Sequence, residues 1–372
     1  MDQVMRTVFW FCTGMVVYTY LGYVVLLWLE VRFRNRPVLE AKITPTVSVV
    51  IAAHNEQNNL PAKLENLRLM EYPQDRLQVI VASDGSTDRT ADILRAHRST
   101  VDSVILEIAN GKASAINQAI KHATGEILVF MDARQQVALD AISNLVSCFA
   151  DPDVGAVSGE LLLIADESQS SDALGVYWKI EKAIRKLESA SGSVVGVTGA
   201  IYAIRRDLYT AIPSGTILDD VFVPMHVARQ GKRVVFQAAA LAYDKLSPAK
   251  GKEFSRKVRT LTGNYQLLRL APWMLSFSNP LLFRLISHKL LRLVVPFFLL
   301  LMFVSSAAEP GFFYRIAFWA QVAMYLAAIL GAASPSAKRF KPVSVAYTFV
   351  MLNVAAAAAF LNFVAGRYKV WT

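Results

Sequence analysis

Two patterns of apolar and polar residues divide this chain, and they predict two kinds of structure. Val8–Leu29 ("VFWFCTGMVVYTYLGYVVLLWL") runs without a charge and is long enough to cross a hydrocarbon core about 30 Å thick. Leu290–Ala308, Ile316–Ala333 and Val343–Ala365 are three further apolar runs of spanning length. Arg292, near the start of the first of these, can snorkel to the headgroups, and a membrane helix tolerates Pro296. The N-terminal run lacks the short apolar core and small-residue cleavage site of a secretory signal, which predicts a retained anchor. From Thr46 to about Ala242 the pattern changes to short apolar runs alternating with helical stretches. "TVSVVIAA", "LQVIVAS", "SVILEI" and "EILVFMD" read as strands, with helices between them such as the one carrying Leu60, Leu64 and Leu67 on one face. Continuous apolar strands separated by helices predict an α/β fold with a mostly parallel sheet covered on both faces.

The chain therefore divides into an N-terminal transmembrane anchor (1–36), an α/β domain (45–245), a segment with basic and interfacial residues (246–289) and C-terminal transmembrane helices (290–372). Arg32, Arg34 and Arg36 follow the first span and only Arg6 precedes it. Lys338, Arg339 and Lys341 fill the loop 334–342. The positive-inside rule then places the central domain and that loop in the cytosol, with Arg367 and Lys369 a small violation at the outer end. A net charge of +10 suits anionic lipid or phosphorylated substrates, and no nucleic-acid-binding module accompanies it. The two cysteines, Cys12 and Cys148, make no disulfide or zinc pattern.

In open α/β sheets ligands bind beyond the carboxyl ends of the strands. His54, Asn55 and Glu56 stand at the first strand end, Asp84-Gly85-Ser86-Thr87-Asp88 at the second, and Asp132 at the fourth. Each cluster alone reads as a turn or a helix cap. Together they point at one rim. Asp219 and Asp220 precede an amphipathic helix, where its dipole favours acidic residues. Ser171–Ser189 reads as another amphipathic helix, with Tyr177, Ile180, Ile184 and Leu187 on its packed side.

"VSVVIAAHNEQNNL", "ASDGSTDRT", "GKASAINQAI", "FMDA" and "LDDV" occur in the order and spacing of family 2 glycosyltransferases. The chain resembles their membrane-embedded branch, which includes cellulose, chitin and hyaluronan synthases and related bacterial exopolysaccharide enzymes. The resemblance covers about Thr46 to Asn264. It implies a GT-A domain that uses a nucleotide-diphosphate sugar, in particular a UDP-sugar, and inverts configuration. It places the enzyme in the cytoplasmic (inner) membrane of a bacterium, with the catalytic domain cytosolic. The acceptor implied is lipid-linked or a growing polysaccharide, with export proteins as partners. Carried over residue by residue, Asn55, Glu56, Asp84, Lys112, Asp132, Arg134, Arg256 and Arg259 lie on the donor side. Asp220 is the general base, and Gly199 and Asp219 lie on the acceptor side. Glu56 and Asp84 would hold the nucleoside, and Asp132 would face the diphosphate through Mg²⁺ or Mn²⁺.

The chain departs from the family pattern at two places. Where the family has Asp-x-Asp, this chain has Asp132-Ala133-Arg134. Asp132 alone can hold a metal completed by water and phosphate oxygens. Arg134 can pair with the diphosphate, or turn away to another carboxylate. A supporting Arg134 predicts activity that partly survives chelation. Where processive synthases carry Gln-x-x-Arg-Trp, this chain has Arg256-x-x-Arg259-Thr260, which counts against long processive synthesis. The competing readings are a polyprenyl-phosphate sugar synthase, a nucleotidyltransferase, and a non-catalytic membrane scaffold. The last would need no convergence of Asp84, Asp132 and Asp220.

Overall fold

A computed structural model describes residues 2–164, 172–245 and 252–367. Ser171 and Lys369, named above, lie outside this set. The chain opens with α1 (Asp2–Val17) and α2 (Tyr23–Phe33), joined through a π-helical turn at Tyr18–Gly22 into one long apolar helix. The central domain carries β1 (Val47–Ala53), α3 (Leu60–Arg68), β2 (Leu77–Asp84), α4 (Thr90–Ala96), β3 (Asp102–Leu106), α5 (Lys112–Ile120), β4 (Ile127–Met131) and β5 (Gln136–Val137). It continues with α6 (Ala141–Ser147), β6 (Val154–Ile164), α7 (Asp172–Ser191), β7 (Ile201–Arg205), α8 (Asp219–Arg229) and β8 (Arg233–Lys245). Then follow α9 (Lys252–Leu270), α10 (Leu282–Leu285), a second π turn at Ile286–Leu290, α11 (Leu291–Ala308), α12 (Phe312–Ala333) and α13 (Lys341–Val364).

The eight strands form one sheet in the order β3-β2-β1-β4-β7-β6-β8-β5. The expectation of a mostly parallel sheet holds for β3-β2-β1-β4. Beyond β4 the sheet is mixed, because β7 runs antiparallel to both β4 and β6, and β5 antiparallel to β8. Strand alternation sends β1 side chains into two cores. Val47, Val49 and Ile51 pack with α3 and α6, while Val50 and Ala52 pack with α5 and α8. Each such aliphatic side chain contributes roughly 1.5–3 kcal/mol on burial. The second core continues through Leu267, Met274 and Leu285, so the sheet is packed without a break onto the segment that leads into the membrane helices.

Four helices are long and apolar enough to cross a membrane: Gln3–Phe33, Leu282–Ala308, Phe312–Ala333 and Lys341–Val364. They match the four runs read from the sequence and extend the second one toward its N-terminus. Small residues set their closest approach. A Cβ on Gly331 would stand 3.0 Å from the Tyr347 Cβ, so glycine lets α12 pack closely on the α13 side chains.

α7 fastens the domain to these helices. Its apolar side is narrower than expected: Ile184 is buried against Tyr23 and Leu27 of α2, but Ile180 is exposed. Its polar side carries Glu181 and Glu188, both buried. Glu188 Oε1 accepts from Tyr23 Oη at 2.7 Å and from His288 Nδ1 at 2.9 Å. Glu181 pairs with Arg292 and with His288 Nε2. Arg284 donates to the Glu188 and Ser193 carbonyls and pairs with Glu30 at 3.0 Å. Burial alone would raise both α7 carboxyls. The cations, led by Arg292 for Glu181 and His288 for Glu188, instead hold them below the ordinary glutamate range.

Removing one partner of such a buried network leaves the others uncompensated, at a cost of roughly 3–5 kcal/mol. Glu188→Ala is therefore expected to lower the unfolding temperature of the detergent-solubilised protein markedly. Exposed pairs such as Arg68–Glu65 should contribute nearly nothing in the same thermal-unfolding measurement.

Candidate active site

His54 follows the end of β1, and Asn55 takes a positive φ of 55° that turns the chain along the rim. Asn55 Oδ1 accepts the Thr87 N–H at 2.8 Å, and Asn55 N–H donates to Ser86 Oγ, tying the first strand end to the second. Glu56 stands just ahead of α3. Its Oε2 accepts from Asn59 Nδ2 at 2.6 Å and its N–H donates to Thr90 Oγ1. Asp88 is a cap, accepting Thr90 N–H at 2.9 Å and Gln57 N–H at 3.1 Å.

Asp84 ends β2 and is 1% exposed. Its two oxygens accept the Asn110 and Gly111 N–H groups, each at 2.8 Å, and so fix the loop from β3 into α5. Gly85 follows with a φ of 57°, and a Cβ there would stand 2.3 Å from the Ala109 nitrogen, so only glycine fits. Asp84, His54, Ala109, Asn110, Gly111, Ser214 and Gly215 line a cavity of about 390 Å³.

Lys112, the first residue of α5, is not the solvated lysine that its position alone would suggest. Its Nζ lies 3.1 Å from Asp132 Oδ1 and 3.3 Å from Asp219 Oδ2. Burial works to lower its pKa, but Asp132, Asp219 and Asp220 outweigh burial and raise it above the ordinary lysine value. Asp220 Oδ1 is buried with no hydrogen-bond partner among the described residues. Burial first, and the neighbouring Asp219 second, push its carboxyl up to about 6. Asp132 and Asp219 thus meet one ammonium whose charge Asp220 also feels, while Asp84 lies along the same rim and holds the loop that delivers Lys112.

Pro224 shapes the base of this cluster. It lies inside α8 and has no N–H, so the carbonyl four residues back, that of Asp220, lacks its helical donor. That carbonyl accepts the Val197 N–H at 2.8 Å instead. The Gly196–Ala200 loop is thereby held against Asp220, and a Cβ on Gly199 would stand 3.4 Å from Asp220 Oδ2.

Of the arrangements open to Arg134, the structure has the one turned away. Its Nη2 pairs with Asp244 Oδ2 at 2.5 Å, and Gln135 Nε2 donates to the same oxygen at 3.1 Å. Lys63 lies behind this loop, fully buried, and donates to the Gln135 carbonyl at 2.8 Å. Burial, opposed by Asp132, brings its pKa down to about 7. Sequence reasoning passed over both Lys63 and Asp244. The signal for Lys63 was present: it is the one charge within the apolar stripe Leu60, Leu64 and Leu67. No group of three His, Cys, Asp or Glu side chains among the described residues is arranged to hold a metal. Asp132, with its carboxylate about one-third exposed, still offers one hard oxygen ligand to an ion whose other ligands are phosphate and water.

Arg256 is exposed and Arg259 half-buried on α9. α9 is clamped to the approach to Asp219. Gly263 lets Leu218 pack on it, since a Cβ there would fall 2.6 Å from Leu218 Cγ. Gln266, another residue unread in the sequence, accepts Ile217 N–H at 2.9 Å and donates to the cavity residue Gly215.

Residues 48–212 match the model of the family "Glycosyl transferase family 2". Similar curated proteins include poly-beta-1,6-N-acetyl-D-glucosamine synthase of Staphylococcus aureus (strain MSSA476), 23% identical over 252 residues, covering 64% of this chain and 60% of the relative. The synthase of the same description from Staphylococcus epidermidis is 24% identical over 273 residues, covering 70% and 65%. The chain thus spans about two-thirds or less of these relatives' own length. Among solved structures, a Pyrobaculum calidifontis mannosyltransferase in complex with GDP-Man and Mn²⁺ superimposes with a TM-score of 0.73, at 22% identity, over 98% of this chain and 99% of that one. The likeness shows a GT-A-like fold, which here carries four helices long and apolar enough to cross a membrane. Residues 48–212 thus carry a family 2 glycosyltransferase domain.

The folded Asp220 carboxyl, at about 6, holds its proton more tightly than the unfolded chain, at 3.8. Its contribution to stability is therefore complete below the unfolded value and is lost as pH rises through about 6. Asp220→Asn is expected to raise the unfolding temperature near neutral pH and to change it little below about pH 4. Thermal unfolding at both pH values checks this.

Proposed function

We propose that this family 2 glycosyltransferase domain moves a sugar, with inversion, from a nucleotide-diphosphate sugar to a lipid-linked or growing glycan acceptor at the membrane. The observation that carries the reading is the gathering of Asp132, Asp219 and Asp220 around Lys112, on the rim that ends in the Asp84 cavity. The cavity has room for a nucleoside, with Asp84 fixing its wall and Asn55 and Glu56 on the neighbouring strand end. We take the donor to be a UDP-sugar, in line with the N-acetylglucosamine synthases to which the chain is similar. The four apolar helices and the positive-inside pattern support a protein of the cytoplasmic membrane with a cytosolic catalytic domain.

In the transfer step, Asp220 takes the proton of the acceptor hydroxyl as that oxygen bonds to the anomeric carbon. The bond from that carbon to the phosphate oxygen breaks, and the electron pair leaves with the nucleoside diphosphate. A carboxyl near 6 is ionised at neutral pH and still basic enough to accept a proton in the transition state. Lys112, held charged by its carboxylates, and Arg259 on α9 supply positive charge on the leaving-group side. A divalent ion, Mg²⁺ or Mn²⁺, held by Asp132 would neutralise further diphosphate charge. Asp219 and the loop through Gly199 border the acceptor.

Asp220→Asn is expected to leave nucleotide binding within about twofold and to lower transfer by roughly 10²–10⁴. The wild-type rate should rise with pH through about 6 and then level off. Release of nucleoside diphosphate from a panel of nucleotide sugars, with protein in lipid, reads both. Near-normal transfer by the variant would reduce Asp220 to a helix-terminal acid. Because Arg134 is committed to Asp244, chelation is expected to cut transfer at least tenfold, reversibly on adding Mn²⁺. Chelator-resistant transfer that disappears in Arg134→Ala would instead mean that Arg134 swings to the diphosphate.

A further inference from the structure

The cavity beside Asp84 has two walls, and different parts of the chain hold them. Asp84 and the loop it grips, 109–111, form one wall. Ser214 and Gly215 form the other. This second wall lies in residues 209–218, a loop with no helix or strand of its own. Inside the loop, Thr216 closes a turn onto the Pro213 carbonyl, through its N–H at 3.2 Å and its hydroxyl at 2.7 Å. Two side-chain amides hold that turn from its two ends. Asn117 of α5 takes the first: its Oδ1 accepts the Ile212 N–H at 3.0 Å and its Nδ2 donates to the Ile212 carbonyl at 2.8 Å. Gln266 of α9 takes the second: its Oε1 accepts the Ile217 N–H at 2.9 Å and its Nε2 donates to the Gly215 carbonyl at 2.8 Å. Each amide pairs with one peptide donor and one peptide acceptor, as a neighbouring strand would.

Asn117 belongs to the helix whose start Asp84 already fixes. Gln266 comes from outside the α/β domain. α9 is seated on the membrane helices, where the Tyr265 ring lies 5.2 Å from that of Phe363 on α13 and its hydroxyl donates to the Leu293 carbonyl of α11 at 3.4 Å. Gln266 is buried, so both of its bonds are made away from bulk water, where losing a partner is costly. At Gly215 one of those bonds and the cavity lining meet in a single residue.

We propose that Gln266 is a positioning residue for the donor, holding the Ser214–Gly215 wall where the nucleoside needs it. The proposal rests on the nucleotide-sugar reading above and deepens it. Gln266 does not line the cavity itself, so it acts through the loop. A wall already held in its bound place has less conformational freedom to lose when the nucleoside arrives. Without Gln266 the loop keeps its Asn117 clamp, but its second end is released and binding must order it.

Asn279 supplies a matched control. It is buried, its Nδ2 donates to the Met274 carbonyl at 2.7 Å, its Oδ1 accepts the Leu281 N–H at 3.0 Å, and it does not line the cavity. The test is calorimetric binding of UDP to the full chain in detergent, with thermal unfolding of each variant in parallel. Gln266→Leu and Asn279→Leu are both expected to lower the unfolding temperature, since each leaves a peptide N–H and a carbonyl unpaired. Gln266→Leu should weaken UDP by roughly tenfold or more, and Asn279→Leu should stay within about twofold of the wild type. Cys12 and Cys148 are buried, so Ser214→Cys puts a reactive thiol on the wall. Saturating UDP should slow its alkylation by about fivefold or more, a measurement that does not need Gln266→Leu to fold. Unchanged UDP affinity in Gln266→Leu, an equal loss in Asn279→Leu, or alkylation of Ser214→Cys unmoved by bound UDP overturns the proposal. Each of these leaves the nucleotide-sugar reading standing. A wild-type chain that does not bind UDP sinks the UDP-sugar reading and this proposal with it.

Discussion

One ammonium group organises the candidate site. Asp132 follows β4 while Asp219 and Asp220 open α8, and carboxylates brought together repel one another strongly when water is excluded. Lys112 makes their gathering feasible by standing between Asp132 and Asp219. It reaches that place because Asp84 grips the two peptide N–H groups just before it and so fixes where α5 begins. Asp220 makes no ion pair with that ammonium among the described residues, and burial, with the neighbouring Asp219 second, leaves its carboxyl raised.

What was legible in the sequence was whatever local periodicity encodes. The continuous apolar strands and the uncharged helical runs were readable because two-sided burial and hydrocarbon thickness each impose a pattern on consecutive residues. The acidic strand ends were readable for the same reason, as abrupt stops in those patterns. The antiparallel placing of β7 was not, because strand direction depends on where the chain returns after a long excursion. Arg134 illustrates the same limit. Its neighbours in sequence favoured a part in holding the diphosphate, and the pairing came instead from Asp244, on a strand far along the chain. Lys63 and Gln266 escaped notice because a buried polar side chain is explained only by the carbonyl or amide it meets.

The attachment of the domain to the membrane helices follows similar logic. An amphipathic helix on a domain surface ordinarily turns its polar face to water. α7 instead turns Glu181 and Glu188 inward, against cations from the second membrane helix and a tyrosine from the first. The contact is directional, since hydrogen bonds admit few alternative registers where apolar packing admits many. It fixes α7, and with it the Arg185–Thr198 contact beside Gly199, against the apolar helices.

Pro224 has a consequence of its own. By withholding a donor inside α8, it lends the Asp220 carbonyl to the Val197 amide. Movement of the Gly196–Ala200 loop away from α8 must therefore break a bond to the backbone of Asp220. Deuterium uptake at that single amide becomes a gauge of loop detachment, and it needs no bound substrate.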